Sequence, residues 1–249
     1  AAREGIIQGH QDYDLTAVGE NQAAATASRL RGHRYWQTHS SDLKRAYRTA
    51  EIILEEHPGS TLSKTSLLRE FGLGAQEGLP RGTTWVRARD IKAKEAGVSF
   101  EDYEECLRES PADVQKRAQL FLGALVADAV RAAAAGTAAA GAAAAAGERG
   151  NAATAAATGA AAQQDENARL ALVVAHGGLL NVMMLAVMGL EESAPIMSNC
   201  AVAVVDVFEQ AGRVRYEPRT LNDVSHFGES GLPASSNNAV ENFGHRISK

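Results

Sequence analysis

The hydrophobic pattern is sharpest between Arg169 and Leu190. Leu170 to Ala175 is a short apolar run rich in Val and Leu, as expected for a strand buried on both faces of a parallel sheet. His176 interrupts it, Gly177 and Gly178 follow, and Leu179 to Met188 is long enough for a helix that Gly189 can end. The expected unit is strand, histidine, glycine turn, helix. The glycines let the backbone turn sharply and let another group come close. One imidazole then sits at the carboxyl end of a strand, beside a helix N-terminus whose free N–H groups favour anions. No acid or base lies between Arg169 and Glu191, yet His176, the two glycines and Asn181 argue against a bilayer span, as does the lack of a flanking positive cluster.

Taken in order, the chain alternates between two periods. Thr16 caps a helix that runs to about Leu30 and closes at Gly32. Tyr35 to His39 reads as a brief strand. Ser40-Ser41-Asp42 reads as the cap of a helix from Leu43 to about Glu55, with Leu43, Ala46, Ala50, Ile53 and Leu54 at helical spacing. His57-Pro58-Gly59 is a turn, and Leu67 to Gly78 is a glycine-rich loop holding Glu70 and Glu77. A helix from Thr84 to about Ala96 ends at Gly97; Arg81, Arg87, Arg89, Lys92 and Lys94 make this stretch basic, either a solvated face or a lid meeting an anionic substrate. Ser110-Pro111-Ala112-Asp113 starts a core helix with Val114, Ala118, Phe121, Leu125 and Ala129 on one face.

Residues 132–162 are almost all Ala with Gly and Thr; without a stripe of large apolar residues they read as a frayed or disordered insertion. Ala201 to Phe208 is a strand that Val214 to Glu217 can pair at an edge, Leu221 to His226 is a loop, and residues 228–249 are a polar, mobile tail. Strands alternating with helices predict an α/β fold, a three-layer α/β/α sandwich around a mostly parallel sheet, as one domain over residues 1–227. Ligands of such sheets bind at the carboxyl ends of the strands, where Arg45 and His176 both belong. The Arg45 fork suits phosphate, although its position alone fits a solvated helix arginine better, and His176 alone equally fits a core histidine.

Charge and cysteine content narrow the classes. A net charge of −5 over 249 residues argues against an extended nucleic-acid footprint. Cys106 and Cys200 are the only cysteines, too few for a disulfide framework or a four-cysteine zinc site, and point to a reducing, cytoplasmic setting. Ala1-Ala2-Arg3-Glu4 is no signal peptide.

Several pieces, in this order, resemble the histidine phosphatase (phosphoglycerate mutase-like) superfamily. They are Leu15-Thr16 with Gly19, Ser40-Ser41-Asp42-Leu43-Lys44-Arg45-Ala46, Leu68-Arg69-Glu70 with Glu77-Gly78, and Val173-Val174-Ala175-His176-Gly177. Arg3-Glu4-Gly5-Ile6-Ile7-Gln8-Gly9 is similar to the fructose-2,6-bisphosphatases of the TIGAR type. The resemblance implies a small phosphorylated metabolite as partner, hydrolysis through a phosphohistidine, and no metal or cofactor. It implies Arg45 as a phosphate clamp and His176 as a pocket histidine, cationic when phosphate binds. Glu70 is the implied acid, in need of a raised pKa to donate near neutrality, and Gln8, Gly9 and Gly177 line the pocket.

The Arg-His-Gly segment that carries the family's nucleophile on its first strand is absent from this sequence; by the resemblance it falls just before Ala1. Residues 1–249 alone are therefore expected to lack that strand, to release no phosphate and to be poorly soluble, with His10, His33 and His39 poor replacements. Leu73 and Gly178 stand where mutases carry Tyr and Asn, which disfavours mutase chemistry. A pseudophosphatase and a protein phosphatase of the same superfamily are the competing readings.

Overall fold

A computed structural model describes residues 5–103, 108–145, 169–190 and 197–230. The order is α1 (Ala17–Leu30), β1 (Gln37–Ser41), α2 (Lys44–Leu54), β2 (Leu62–Thr65), α3 (Trp85–Ala96), α4 (Pro111–Ala145), β3 (Ala171–Val174), α5 (Gly177–Val182), β4 (Val202–Gln210), β5 (Arg213–Asp223) and α6 (Ser225–Ser230). Three strands form a parallel sheet ordered β2-β1-β3, and β4 and β5 form a separate antiparallel pair.

The period of two along β3 builds the layers. Leu172 and Val174 pack with Ala27 of α1 and Ala50 and Ile53 of α2. Val173 and Ala175 pack the other way, with Val114 and Phe121 of α4 and Leu179 of α5. His39, opposite Val173 in register, sets its ring edge-on against Phe121, 5.3 Å between centroids. Helices therefore cover both faces of a parallel sheet, the three-layer α/β/α arrangement expected from the sequence. Met184, Leu190 and Met197 make a further cluster that ties the end of α5 to Val205 of β4 and Tyr216 of β5.

Local chemistry sets most of the helix ends. The Thr16 hydroxyl accepts from Gly19 N at 3.2 Å, and the Thr84 hydroxyl accepts from Arg87 N at 3.3 Å. Elsewhere the sequence misled. The strand expected over Tyr35–His39 runs Gln37–Ser41, so Ser40 and Ser41 are fully buried strand residues rather than a helix cap, and Leu43 takes the N-cap position. Strand β2 is unannounced because Leu-Ser-Lys-Thr lacks an apolar run, its middle two residues being exposed at the sheet edge. Strand β5 continues to Asp223 and α6 follows, where a loop was expected over Leu221–His226.

The alanine stretch expected to fray instead continues α4 to Ala145, as the high helix propensity of alanine allows. Residues 146–162 of that insertion and 231–249 of the expected tail lie outside the described residues. Gly177 and Gly178 form the first turn of α5 rather than a turn between elements. The helix widens its register over Met183–Val187 into a π turn and ends at Gly189. By length and composition Pro111–Ala135 would suffice to cross a bilayer; its apolar stripe packs on Leu179 and Val182.

Leu179 is fully buried at the join of α4, α5 and the loop after β2. Leu179→Ala is expected to lower the unfolding free energy by about 2–5 kcal/mol in urea titrations. A loss below about 1 kcal/mol would mean that α5 is not packed as described.

Candidate active site

The parallel sheet delivers the carboxyl ends of β1 and β3 to one edge, and two irregular loops close over it. The first, Ile6 to Tyr13, is laced to the second, Leu67 to Arg81, by backbone bonds from Ile7 N to Leu79 O, Gly78 N to Ile7 O and Arg81 N to Gly5 O, at 2.9, 2.8 and 2.8 Å. Gln8, Gly9, Arg45, Glu70, His176 and Gly177, six residues far apart in the sequence, all line a single cavity of about 2200 Å³. That cavity continues from this edge as a long groove between β3 and β4.

Glu70 is held by backbone alone. Its carboxylate accepts from Phe71 N at 2.9 Å, Gly178 N at 3.1 Å and Leu179 N at 3.2 Å. The last two are N–H groups of the first turn of α5, which have no partner within the helix. The anion that the helix N-terminus was expected to attract is thus the protein's own carboxylate. Gly178 makes room for it, since a Cβ there would lie 2.3 Å from Glu70 Oε1. Close approach, not turning, is what this glycine supplies.

Arg45 is buried near the start of α2, with its guanidinium turned to the first loop. It donates to Gln11 O at 2.9 Å and to Gly9 O at 2.8 Å. Burial lowers its pKa, and the carboxylates of Glu70, Asp12 and Glu77 oppose that shift. Gly9 adopts a φ of +51°, and a Cβ there would fall 2.1 Å from Glu77 Oε1. Both the backbone angle and the contact therefore require glycine. Glu77 Oε1 also accepts from His10 N at 2.9 Å and Leu73 N at 2.8 Å, fixing the two loops against each other.

His176 lies two residues past β3, at the N-cap position of α5, and is 8% exposed. Its Nε2 is hydrogen-bonded to Ser41 Oγ at 2.9 Å across the sheet. Burial and then the Arg45 cation push its pKa well below the ordinary histidine value. Both effects favour the neutral ring, and a bound dianion would favour the cation implied by the resemblance.

Other expectations separate here. His10 sends Nε2–H to Glu70 O at 2.8 Å, and His39 bonds Gln37 Oε1 at 2.9 Å on the α4 face. His33 lines the groove beside Tyr35, on a loop that carries none of the three central residues. The basic stretch is a self-paired face: Lys92 meets Glu95, Lys94 meets Asp90, and Arg89 stacks over Trp85 and Phe100. Of that stretch only Arg81 lines the cavity. Among the described residues, no group of three or more His, Cys, Asp or Glu is placed to hold a metal ion.

Sequence reasoning missed the residues behind the site. Arg69 grips Asp42 through two bonds of 2.8 and 2.6 Å. Glu109 accepts from Gly72 N at 2.7 Å and from two nitrogens of Arg117 at 3.0 Å each. Burial acts to raise the Glu109 pKa, but His10, Arg117 and the Gly72 N–H together pull it down to about 2. A charged residue at 117, between core positions Val114 and Ala118, was the available signal. Nothing in the sequence marked Glu109.

Residues 1–135, more than half of the chain, match the family described as "Histidine phosphatase superfamily (branch 1)". The chain belongs to the histidine phosphatase superfamily.

Among curated members, it is 34% identical to "Fructose-2,6-bisphosphatase TIGAR B" of Danio rerio over 127 residues, 49% of this chain and 48% of that protein. It is 40% identical to "Phosphoglycerate mutase-like protein 4" of Arabidopsis thaliana over 74 residues, 29% of this chain and 32% of that one. The chain thus spans about half the length, or less, of these curated relatives. A mycobacterial glucosyl-3-phosphoglycerate phosphatase solved with inorganic phosphate superposes with a TM-score of 0.58 and 25% identity, over 88% of this chain and 92% of that one. Bacillus stearothermophilus YhfR shares the fold at a TM-score of 0.57 and 23% identity, over 90% and 91%. The architecture is the phosphoglycerate mutase-like α/β fold of this superfamily, whose members are phosphatases and mutases.

The two histidines at the site are expected to titrate in opposite directions from 6.5. His10 shifts upward, chiefly through its bond to Glu109, and His176 shifts downward through burial. Imidazole NMR checks this, and added phosphate should raise the His176 value. Neutral His176 contributes stability that is present above the unfolded value near 6.5 and is lost as pH falls through its folded value. His10 contributes stability that is present below 6.5 and lost as pH rises through its folded value. A His176 that titrates at or above 6.5 without phosphate would contradict the burial described.

Proposed function

We propose that this site hydrolyses small phosphate monoesters, sugar phosphates resembling fructose 2,6-bisphosphate, through a phosphohistidine. The observation that carries the reading is the convergence of Arg45, Glu70 and His176 on one cavity at the strand ends. The chemistry needs a positive clamp, a proton donor and a nucleophile around one phosphorus atom. Arg45 is the clamp: it exchanges its bonds to Gly9 and Gln11 carbonyls for phosphoryl oxygens, which its planar fork matches better. His176, neutral before binding, takes a proton as the dianion arrives and then holds an equatorial oxygen. Glu70 takes up a proton from solvent as the dianion binds, turns from the N–H groups of Gly178 and Leu179 to pass it to the leaving oxygen, and then accepts a proton from the attacking water.

The nucleophile is the histidine of the superfamily's Arg-His-Gly motif, which residues 1–249 do not contain. The engagement of His10 with Glu70 O and of His39 with Phe121 of α4 disfavours a substitute histidine within the chain. Gln8, Gly9 and Gly177 line the substrate end of the same cavity.

The test compares residues 1–249 with a chain extended through the residues encoded ahead of Ala1. Both are assayed for phosphate release from fructose 2,6-bisphosphate, glucosyl-3-phosphoglycerate and 3-phosphoglycerate. The extended chain should turn over at least one of them, residues 1–249 none, and Glu70→Gln should slow the extended chain by about 10²–10⁴-fold. An extended chain that binds phosphate and hydrolyses nothing would replace this reading with that of a pseudophosphatase.

A further inference from the structure

Glu70 sits on a stretch without helix or strand, yet its carboxylate must meet two N–H groups of α5 and one cavity. The side chain that fixes this stretch comes from α4. The Arg117 guanidinium, 12% exposed, donates to Leu67 O at 3.0 Å, to Arg69 O, and to Glu70 O at 2.9 Å. Its Nε and Nη2 reach the two oxygens of Glu109, each at 3.0 Å, and Glu109 in turn accepts from Gly72 N at 2.7 Å. His10 closes the ring by donating to Glu70 O at 2.8 Å, with Glu109 at 3.6 Å.

The carbonyls of residues 67, 69 and 70 and the amide of residue 72 are thus all bound to one ion pair. The backbone on both sides of Glu70 is held while its side chain is left to face α5. A buried guanidinium satisfies several carbonyls at once because its donors form a rigid planar fork, which a lysine ammonium cannot reproduce.

We propose that Arg117, with Glu109 as its counter-ion, is the positioning residue for Glu70: it sets the carboxylate against the first turn of α5 and in reach of the phosphoryl group, without touching substrate. This rests on the reading of Glu70 as the acid. Arg117 does not line the cavity as Arg45, Glu70 and His176 do; its hydrogen bonds go to the backbone of the 67–72 stretch and to Glu109. If it served only to stabilise the fold, its loss would loosen the chain everywhere. If it positions Glu70, its loss shows first at the amides that the carboxylate covers.

The experiment uses Arg117→Lys and Arg117→Met in the extended chain, with two independent readouts. Amide hydrogen exchange by NMR is followed at Phe71, Gly178 and Leu179, against Ala50 and Ile53 in α2 as reference. Arg117→Met should speed exchange at Gly178 and Leu179 by at least about tenfold with the α2 amides unchanged. Phosphate release should fall about 100-fold in kcat with KM within about threefold, because a small misplacement of a reacting group costs rate rather than binding. Arg117→Lys should lie between wild type and Arg117→Met in both readouts. It carries both measurements alone if the methionine variant does not fold.

Unchanged exchange at Gly178 and Leu179 in the folded variant overturns the proposal, as does a uniform rise in all amides. A wild-type chain that releases no phosphate defeats the phosphatase reading and leaves the exchange arm to decide the positioning role.

Discussion

A single carboxylate closing the first turn of a helix is the constraint on which this site is built. Helix α5 follows β3 after two intervening residues, its free N–H groups lie at the edge of the sheet, and its N-cap residue His176 makes no side-chain cap bond. Glu70 supplies the missing acceptor from 108 residues away in sequence. That contact demands glycine at 178, because any Cβ would displace the carboxylate. It also fixes the distance between the Leu67–Gly78 loop and β3. Arg45 and His176 then take their places on either side of a group whose position is already set.

Two charge systems meet at Glu70 and follow different rules. On the cavity side, burial and then the Arg45 guanidinium both depress the imidazole of His176. An incoming dianion reverses that balance, since it stabilises both cations together. On the opposite side, His10 and Arg117 share the Glu109 carboxylate, which stays ionised in spite of burial. The first system is poised to respond to a ligand, while the second is built not to respond.

Legibility in the sequence follows from the range of the interactions. Local signals read well: the Thr16 and Thr84 caps, the apolar stripe of α4, and the valine-rich run of β3 each depend on residues a few positions apart. Apart from the alanine run of α4, the failures discussed next are non-local. Strand β2 is polar and exists because β1 offers it an edge. Ser40 and Ser41 resemble a helix cap until a neighbouring helix and His176 bury them in a strand. Gly177-Gly178 has the composition of a turn, and only the Glu70 carboxylate explains why small residues open a helix there. Arg45, Glu70 and His176 were legible through the resemblance of their surrounding motifs, whereas Arg117 and Glu109 reach the site only through backbone atoms, which carry no residue identity to read.

The same device secures both irregular loops over the cavity. Arg45 binds the carbonyls of Gly9 and Gln11, and Arg117 binds those of Leu67, Arg69 and Glu70. Loop carbonyls in a part-buried place need donors that neither a strand nor water provides, and a guanidinium offers five at fixed angles. The two arginines differ in what else lies within reach. Arg117 has Glu109 beside it and is neutralised in place, so nothing draws it from its loop. Arg45 has only the longer-range pull of Glu70, Asp12 and Glu77, together with an open cavity beside it. A doubly charged ester would therefore compete for Arg45 and not for Arg117.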